Sequence, residues 1–143
     1  MNGGGTNSEG EGMIVKAGVS LRGLKNLEKC AALVNPGAIM TVVDKGLAEA
    51  IGTTYTGRKR SLTSATGHKL EGEIAIVKEL SVEDEILDYE KVLVVEFNGE
   101  VREALRKLDV DDSIILGVTT LELANFIPDT AAGKLRKIET FLF

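Results

Sequence analysis

Asn35-Pro36-Gly37-Ala38 follows the apolar run Cys30-Ala31-Ala32-Leu33-Val34. It joins a side-chain amide to a ring that fixes φ and a glycine that permits a sharp turn. Far along the chain, Ile114-Ile115-Leu116-Gly117 has the same grammar, an apolar strand running into glycine. An amide donates and accepts hydrogen bonds but exchanges no proton near neutral pH. Such a pair of segments shapes a loop, and it performs acid–base chemistry only if a carboxylate stands in it.

Other residues offer weaker chemistry. His68 beside Gly67 can touch a ligand from a hairpin, although a solvated histidine is the plainer account. Cys30 lies in an apolar run, and no second histidine offers it a base, so it reads as a small core residue. Arg58-Lys59-Arg60 suits a phosphate or an acidic peptide and otherwise reads as a solvated loop before a strand. Glu83-Asp84-Glu85 lacks the ligand order of a calcium loop. With one histidine and one cysteine in the chain, nitrogen and sulfur ligand sets for zinc cannot be assembled in one copy. We expect no metal and no cofactor.

Positioning the two glycine segments requires a framework of short strands. Residues 1–12 are glycine-rich and almost without apolar side chains, which predicts a flexible tail ahead of one domain over 13–143. Apolar patterning predicts paired strands over 13–19 and 30–34 and a strand at Thr41-Val42-Val43. A short helix capped by Asp44 and ended by Gly52 follows. Alternation over 62–80 about Ala65-Thr66-Gly67-His68 predicts a hairpin with an exposed tip. The block 82–89 is acidic and ambiguous. Beyond it come a strand at 92–97, helical spacing over 101–108 and a buried strand at 113–117. A helix capped by Thr119 or Thr120, a turn out near Pro128 and a last strand over 135–143 complete the reading. Short strands at intervals of about 8 to 12 residues with a few brief helices indicate a mainly β domain, a small barrel or sandwich.

The 143 residues suffice for one core, and a hydrophobic fraction of 43% with 27% charged is ordinary for a folded chain. Lys and Arg total 17 against 22 Asp and Glu, a net charge of −5, which repels nucleic acid and anionic lipid. Aromatics are 4% with no Trp, removing the stacking platforms of single-strand binders. No apolar run has the length of a membrane span. A lone cysteine and no basic-then-apolar leader fit a cytoplasmic setting.

The order of these segments resembles the retropepsin-like aspartic proteases. In that family an Asp-Thr-Gly or Asp-Ser-Gly loop followed by Ala carries the catalytic aspartate. A later strand of two bulky apolar residues and Gly packs beneath it. Here Asn35-Pro36-Gly37-Ala38 falls at the loop and Ile115-Leu116-Gly117 at the supporting strand. Val42-Val43 before a helix, the flap-like hairpin about Ala65, Thr66, Gly67 and His68, and Gly117-Val118-Thr119-Thr120-Leu121-Glu122 keep the family's order. The resemblance covers 13–143, with an extra stretch from about 83 to 112. It implies a closed β-barrel with a flap and one to three short helices. It also implies a homodimer with both copies of Asn35 near the two-fold axis and the strand over 135–143 at the interface.

The departure bears directly on activity. Aspartic proteases share one proton between two carboxylates, one taking a proton from water while the other polarises the scissile carbonyl. Asn35 does neither. Pro36 lacks the hydroxyl that the family's Thr or Ser gives to the partner's loop, and having no N–H it blocks the succinimide route of deamidation. The resemblance therefore implies a catalytically silent, peptide-binding pseudoenzyme. The alternatives are an endopeptidase whose aspartate was replaced by Asn35 to inactivate it, and an unrelated small β binding module.

Overall fold

A computed structural model describes residues 14–63, 67 and 69–139. The expected tail, the hairpin residues Ala65, Thr66 and His68, and the last four residues of the expected C-terminal strand lie outside them. The fold is mainly β, a closed six-stranded barrel with three short helices.

β1 (Lys16–Arg22) buries Ala17, Val19 and Leu21 on one face, the period-2 pattern of a half-buried strand. It pairs antiparallel with β2 (Leu27–Val34). The intervening turn bonds through Lys25 N–H to Ile51 O at 2.9 Å, at the end of α1 (Lys45–Ile51). β3 (Val42–Asp44) leads directly into that helix. Gly52 closes it at φ 82°, donating to Ala48 O, in the left-handed conformation that suits glycine.

β4 (Thr54–Thr63) and β5 (Lys69–Val82) pair antiparallel, and β5 pairs along its length with β6 (Glu85–Val95). α2 (Gly99–Lys107), β7 (Ile114–Leu116), α3 (Val118–Leu123), β8 (Phe126–Asp129) and β9 (Lys134–Lys137) complete the order. The sheet runs β1-β2-β7-β3-β6-β5-β4, and a further pairing of β1 with β5 closes the barrel. β8 and β9 form a separate two-stranded sheet.

Strand alternation builds two cores. Val43, Val92, Val94, Ile114 and Leu116 point into the barrel. Their neighbours Val42, Leu93 and Val95 point outward, where Phe97 and Leu105 join them. Both faces of these central strands are buried, which accounts for the continuous apolar runs in the sequence.

Several elements differ from the expectation. Arg58, Lys59 and Arg60 belong to β4, because the Tyr55–Lys59 register shift lets that strand begin at Thr54. The acidic block is the β5–β6 turn and the start of β6, with Glu83 at φ 54° and its carboxylate accepting Gly18 N–H at 2.7 Å. Thr119 and Thr120 lie inside α3. Gly117 stands at its N-cap without a side-chain bond, since Thr120 is drawn into the core instead. Pro128 sits in β8, while Asp129 makes the following turn by accepting the Ala131 and Ala132 amides at 3.1 Å.

Asp44 does more than cap α1. Its Oδ2 accepts Gly46 N–H at 3.0 Å, while Oδ1 accepts Phe97 N–H at 2.9 Å and meets Arg102 Nη2 at 2.8 Å. Arg102 reaches Asp112 at 3.7 Å, and Arg106 meets Asp112 at 2.9 Å. One buried carboxylate thus ties α1, the end of β6 and α2 together. Burial alone pushes the Asp44 carboxyl up, but the Phe97 amide, Arg102 and the Gly46 amide outweigh it and hold the pKa below its ordinary 3.8. A lowered folded-state pKa contributes stability that is present above the unfolded value and lost as pH falls through the folded one. Asp44→Asn should cost about 2 kcal/mol at neutral pH and flatten the loss of stability below the ordinary carboxylate range, as read by urea denaturation from pH 2 to 7.

Candidate functional site

β2 and β3 are joined by the loop that carries Asn35, yet they are not neighbours. β7 lies between them, parallel to β2 through Leu33↔Ile115 and Val34↔Leu116 and antiparallel to β3 through Val42↔Ile115. The loop must therefore pass over the end of β7. Asn35 N–H donates to Leu116 O at 2.9 Å on the way out, and Val118 and Thr119 N–H donate to Ala38 O and Ile39 O at 2.8 and 3.0 Å on the way back. The structure thus brings Asn35, Pro36, Gly37 and Ala38 together with Ile115, Leu116 and Gly117.

Within the loop, the Asn35 side-chain oxygen accepts Gly37 N–H at 3.0 Å, and the Asn35 carbonyl accepts Ala38 N–H at 3.0 Å. This is an Asx-turn, which asparagine makes readily. Asn35, Pro36 and Gly37 are exposed. At the crossing point a Cβ on Gly117 would stand 2.4 Å from the Met40 carbonyl carbon and oxygen, so only glycine lets the two chain segments touch.

A buried chain of hydrogen bonds lies under the crossing. Gly117 N–H donates to Thr41 Oγ1 at 3.0 Å, Thr41 Oγ1 lies 2.7 Å from Thr120 Oγ1, and Thr120 donates to Glu90 Oε2 at 3.0 Å. An amide donor at one end and a carboxylate acceptor at the other satisfy every hydroxyl between them. Burial pushes the Glu90 carboxyl above its ordinary 4.5, with the Thr120 bond opposing that rise.

The loop forms one side of a cavity of about 350 Å3. Asn35, Gly37, Ala38, Ile39, Val42 and Ile115 line that side. Ser61, Leu62, Thr63 and Leu70, from the outer ends of β4 and β5, line the other. Leu62 and Leu70 are cross-strand partners. The lining is apolar with amide and hydroxyl groups at its edges, and no described carboxylate faces it. It suits an uncharged or extended backbone ligand and does not supply acid–base chemistry. Gly67 is exposed at φ 87°.

The remaining candidates stand apart. Cys30 borders a broader groove of about 920 Å3 against β8 and β9. Burial first, then Asp111 and Glu28, push its thiol up to about 11, with a Ser113 bond opposing them. It is a poor nucleophile at neutral pH. Across that groove Lys137 pairs with Glu85 and Asp84 and lies 5.0 Å from the centre of the Phe126 ring. Among the described residues no group of three or more His, Cys, Asp or Glu side chains is placed to hold a metal ion. No helix there is long and apolar enough to cross a membrane.

Thr41, Thr120 and Glu90 were not legible as a unit. A strand threonine, a threonine with capping chemistry and an acid just beyond the 82–89 block carry no shared spacing. Leu62 and Leu70 carried a signal, as apolar partners equidistant from a hairpin tip. Compared by sequence, the chain matches no protein-family model and no curated protein.

Thr41→Val keeps the volume but strands the Gly117 amide, so it should cost about 2 kcal/mol. Glu90 makes the opposite pH prediction to Asp44. Its raised pKa contributes stability below the ordinary carboxylate value that is lost as pH rises through the folded one. Glu90→Gln, which still accepts from Thr120, should gain on the parent toward neutral pH and lose that advantage in acid. Paired urea titrations at pH 4 and pH 7 read the difference.

Proposed function

We propose that the chain is a retropepsin-like scaffold that holds extended peptides without cleaving them. The observation that carries this reading is the Asn35 loop, crossed over β7 and facing the ends of β4 and β5 across a largely apolar cleft. The crossing, the glycine contact at Gly117 and the barrel's closure all accord with the resemblance read from the sequence. In this reading β4 and β5 are the arms of the flap. An extended peptide lies between them and the loop, held by its backbone and by pockets for alternate side chains.

Silence follows from the chemistry at Asn35. The side-chain oxygen is already committed to Gly37 N–H, and an amide neither takes a proton from water nor gives one to a leaving group. Two such loops, brought together in a homodimer with Asn35 of each near the two-fold axis, have no proton to share. The strand over 135–143 takes part in that interface in this reading. The protein then acts in the cytoplasm on peptide or protein partners.

Asn35→Asp tests the scaffold and its history together. Parent and variant are incubated with a mixed peptide library from pH 3 to pH 7, with and without a pepstatin-type inhibitor. Binding is measured in parallel by fluorescence anisotropy. The silent scaffold predicts no cleavage by either form and peptide binding by both. Inhibitor-sensitive cleavage confined to Asn35→Asp would instead favour an endopeptidase inactivated at this one position. Loss of both binding and cleavage would overturn the peptide reading and leave the unrelated binding module.

A further inference from the structure

β4 is the last strand of its sheet, bonded to β5 on one side and, among the described residues, to no strand on the other. All ten of its residues are exposed except Leu62, which is half-buried. A free edge of that length invites another strand unless something blocks it. The first part is blocked. Gly57, at φ 80°, donates its N–H to Glu73 at 2.7 Å, and Arg58 N–H is taken by Thr56 Oγ1 at 3.2 Å, where the register with β5 shifts. Over 59–63 the pairing is regular, so alternate residues turn their N–H and C=O groups outward.

Arg58, Lys59 and Arg60 mark the start of this open stretch, three consecutive cations in a chain of net charge −5. None of them makes an ion pair with a described residue. Among the described residues Arg60 has one polar side-chain contact, to Met40 Sδ at 3.9 Å, and it stands opposite Gly72, which offers no charge. Lys59 faces Glu73, whose carboxylate already accepts the Gly57 amide. A second copy of β4 would set cations against cations across the new ladder, an unfavourable arrangement. An acidic strand turns that repulsion into attraction at the same positions.

We propose that the open edge of β4 over 59–63 binds an extended acidic segment of a partner protein as an added strand, with Arg58, Lys59 and Arg60 selecting its charge. This edge adjoins the Asn35 cavity, whose rim includes Ser61, Leu62 and Thr63, but the proposal asks only for the outward N–H and C=O groups of β4 and for its cations, not for an occupant of the cavity.

The test uses a fluorescein-labelled peptide of alternating Glu and Val, about eight residues long, its Lys–Val counterpart, and a Glu–Val version N-methylated at alternate residues. Anisotropy should show the parent binding Glu–Val at least about tenfold more tightly than Lys–Val. The triple variant Arg58→Glu, Lys59→Glu, Arg60→Glu, checked for native circular dichroism, should reverse that order. N-methylation, which removes the ladder hydrogen bonds but keeps the charge, should abolish binding. Hydrogen exchange should slow at amides within 59–63. Equal binding of Glu–Val by the triple variant, undiminished binding of the N-methylated peptide, or protection confined to the Asn35 loop would each overturn the proposal. So would polyuridylate RNA or phosphatidylserine vesicles displacing the Glu–Val peptide from the same cations.

Discussion

The structure depends on a contact between two stretches of backbone, Gly117 against the peptide that joins Met40 to Thr41. β7 can lie between β2 and β3 only if the loop joining those strands passes over its end. The loop can pass only where no side chain intervenes. The hydrogen bonds on either side of the crossing hold the loop to β7 and to the first turn of α3, and the hydroxyl pair beneath satisfies the one amide left inside. Asn35 is therefore presented on a support packed from below and tied at both ends. Its exposure is that of a held group.

A rigid support for a group that cannot transfer protons separates recognition from chemistry. Acid–base catalysis by paired carboxylates requires two acids within hydrogen-bond reach, and no described carboxylate lines the cavity beside Asn35. Binding requires only shape and backbone donors and acceptors. The Asn35 amide preserves the turn, since its oxygen takes the Gly37 N–H. The proline after it preserves the turn by fixing φ. Both residues suit the loop's geometry, and neither side chain exchanges a proton near neutral pH.

The sequence made the local parts legible where one residue type dictates one conformation. Asp44 before a helix, Gly52 after it and Asp129 in the last turn all act as their chemistry suggests. The two glycine segments were readable as related pieces, and the structure brings them into contact. What escaped was set by partners distant in the chain. Thr120 looks like a cap until Thr41 and Glu90 draw it inward. Asp44 looks like a cap alone until Arg102 arrives from another helix. The start of β4 looks like a loop because its charges suggest water, whereas its pairing is decided by β5.

Barrel closure also sets the order in which the molecule can assemble. β1 meets β2 across a short turn, but it meets β5 through Val19↔Val82 and Leu21↔Leu80, and β2 meets β7 only after most of the chain has been laid down. Joining ends so far apart in sequence restricts the chain before any contact compensates for it, and topologies rich in such pairings fold on the slow end of the scale, in about milliseconds to seconds. The β4–β5–β6 meander, built from neighbours, has no such delay. Until β1 docks against β5, that meander carries an unsealed edge at 79–82, so closure waits on a strand from the far end of the sequence.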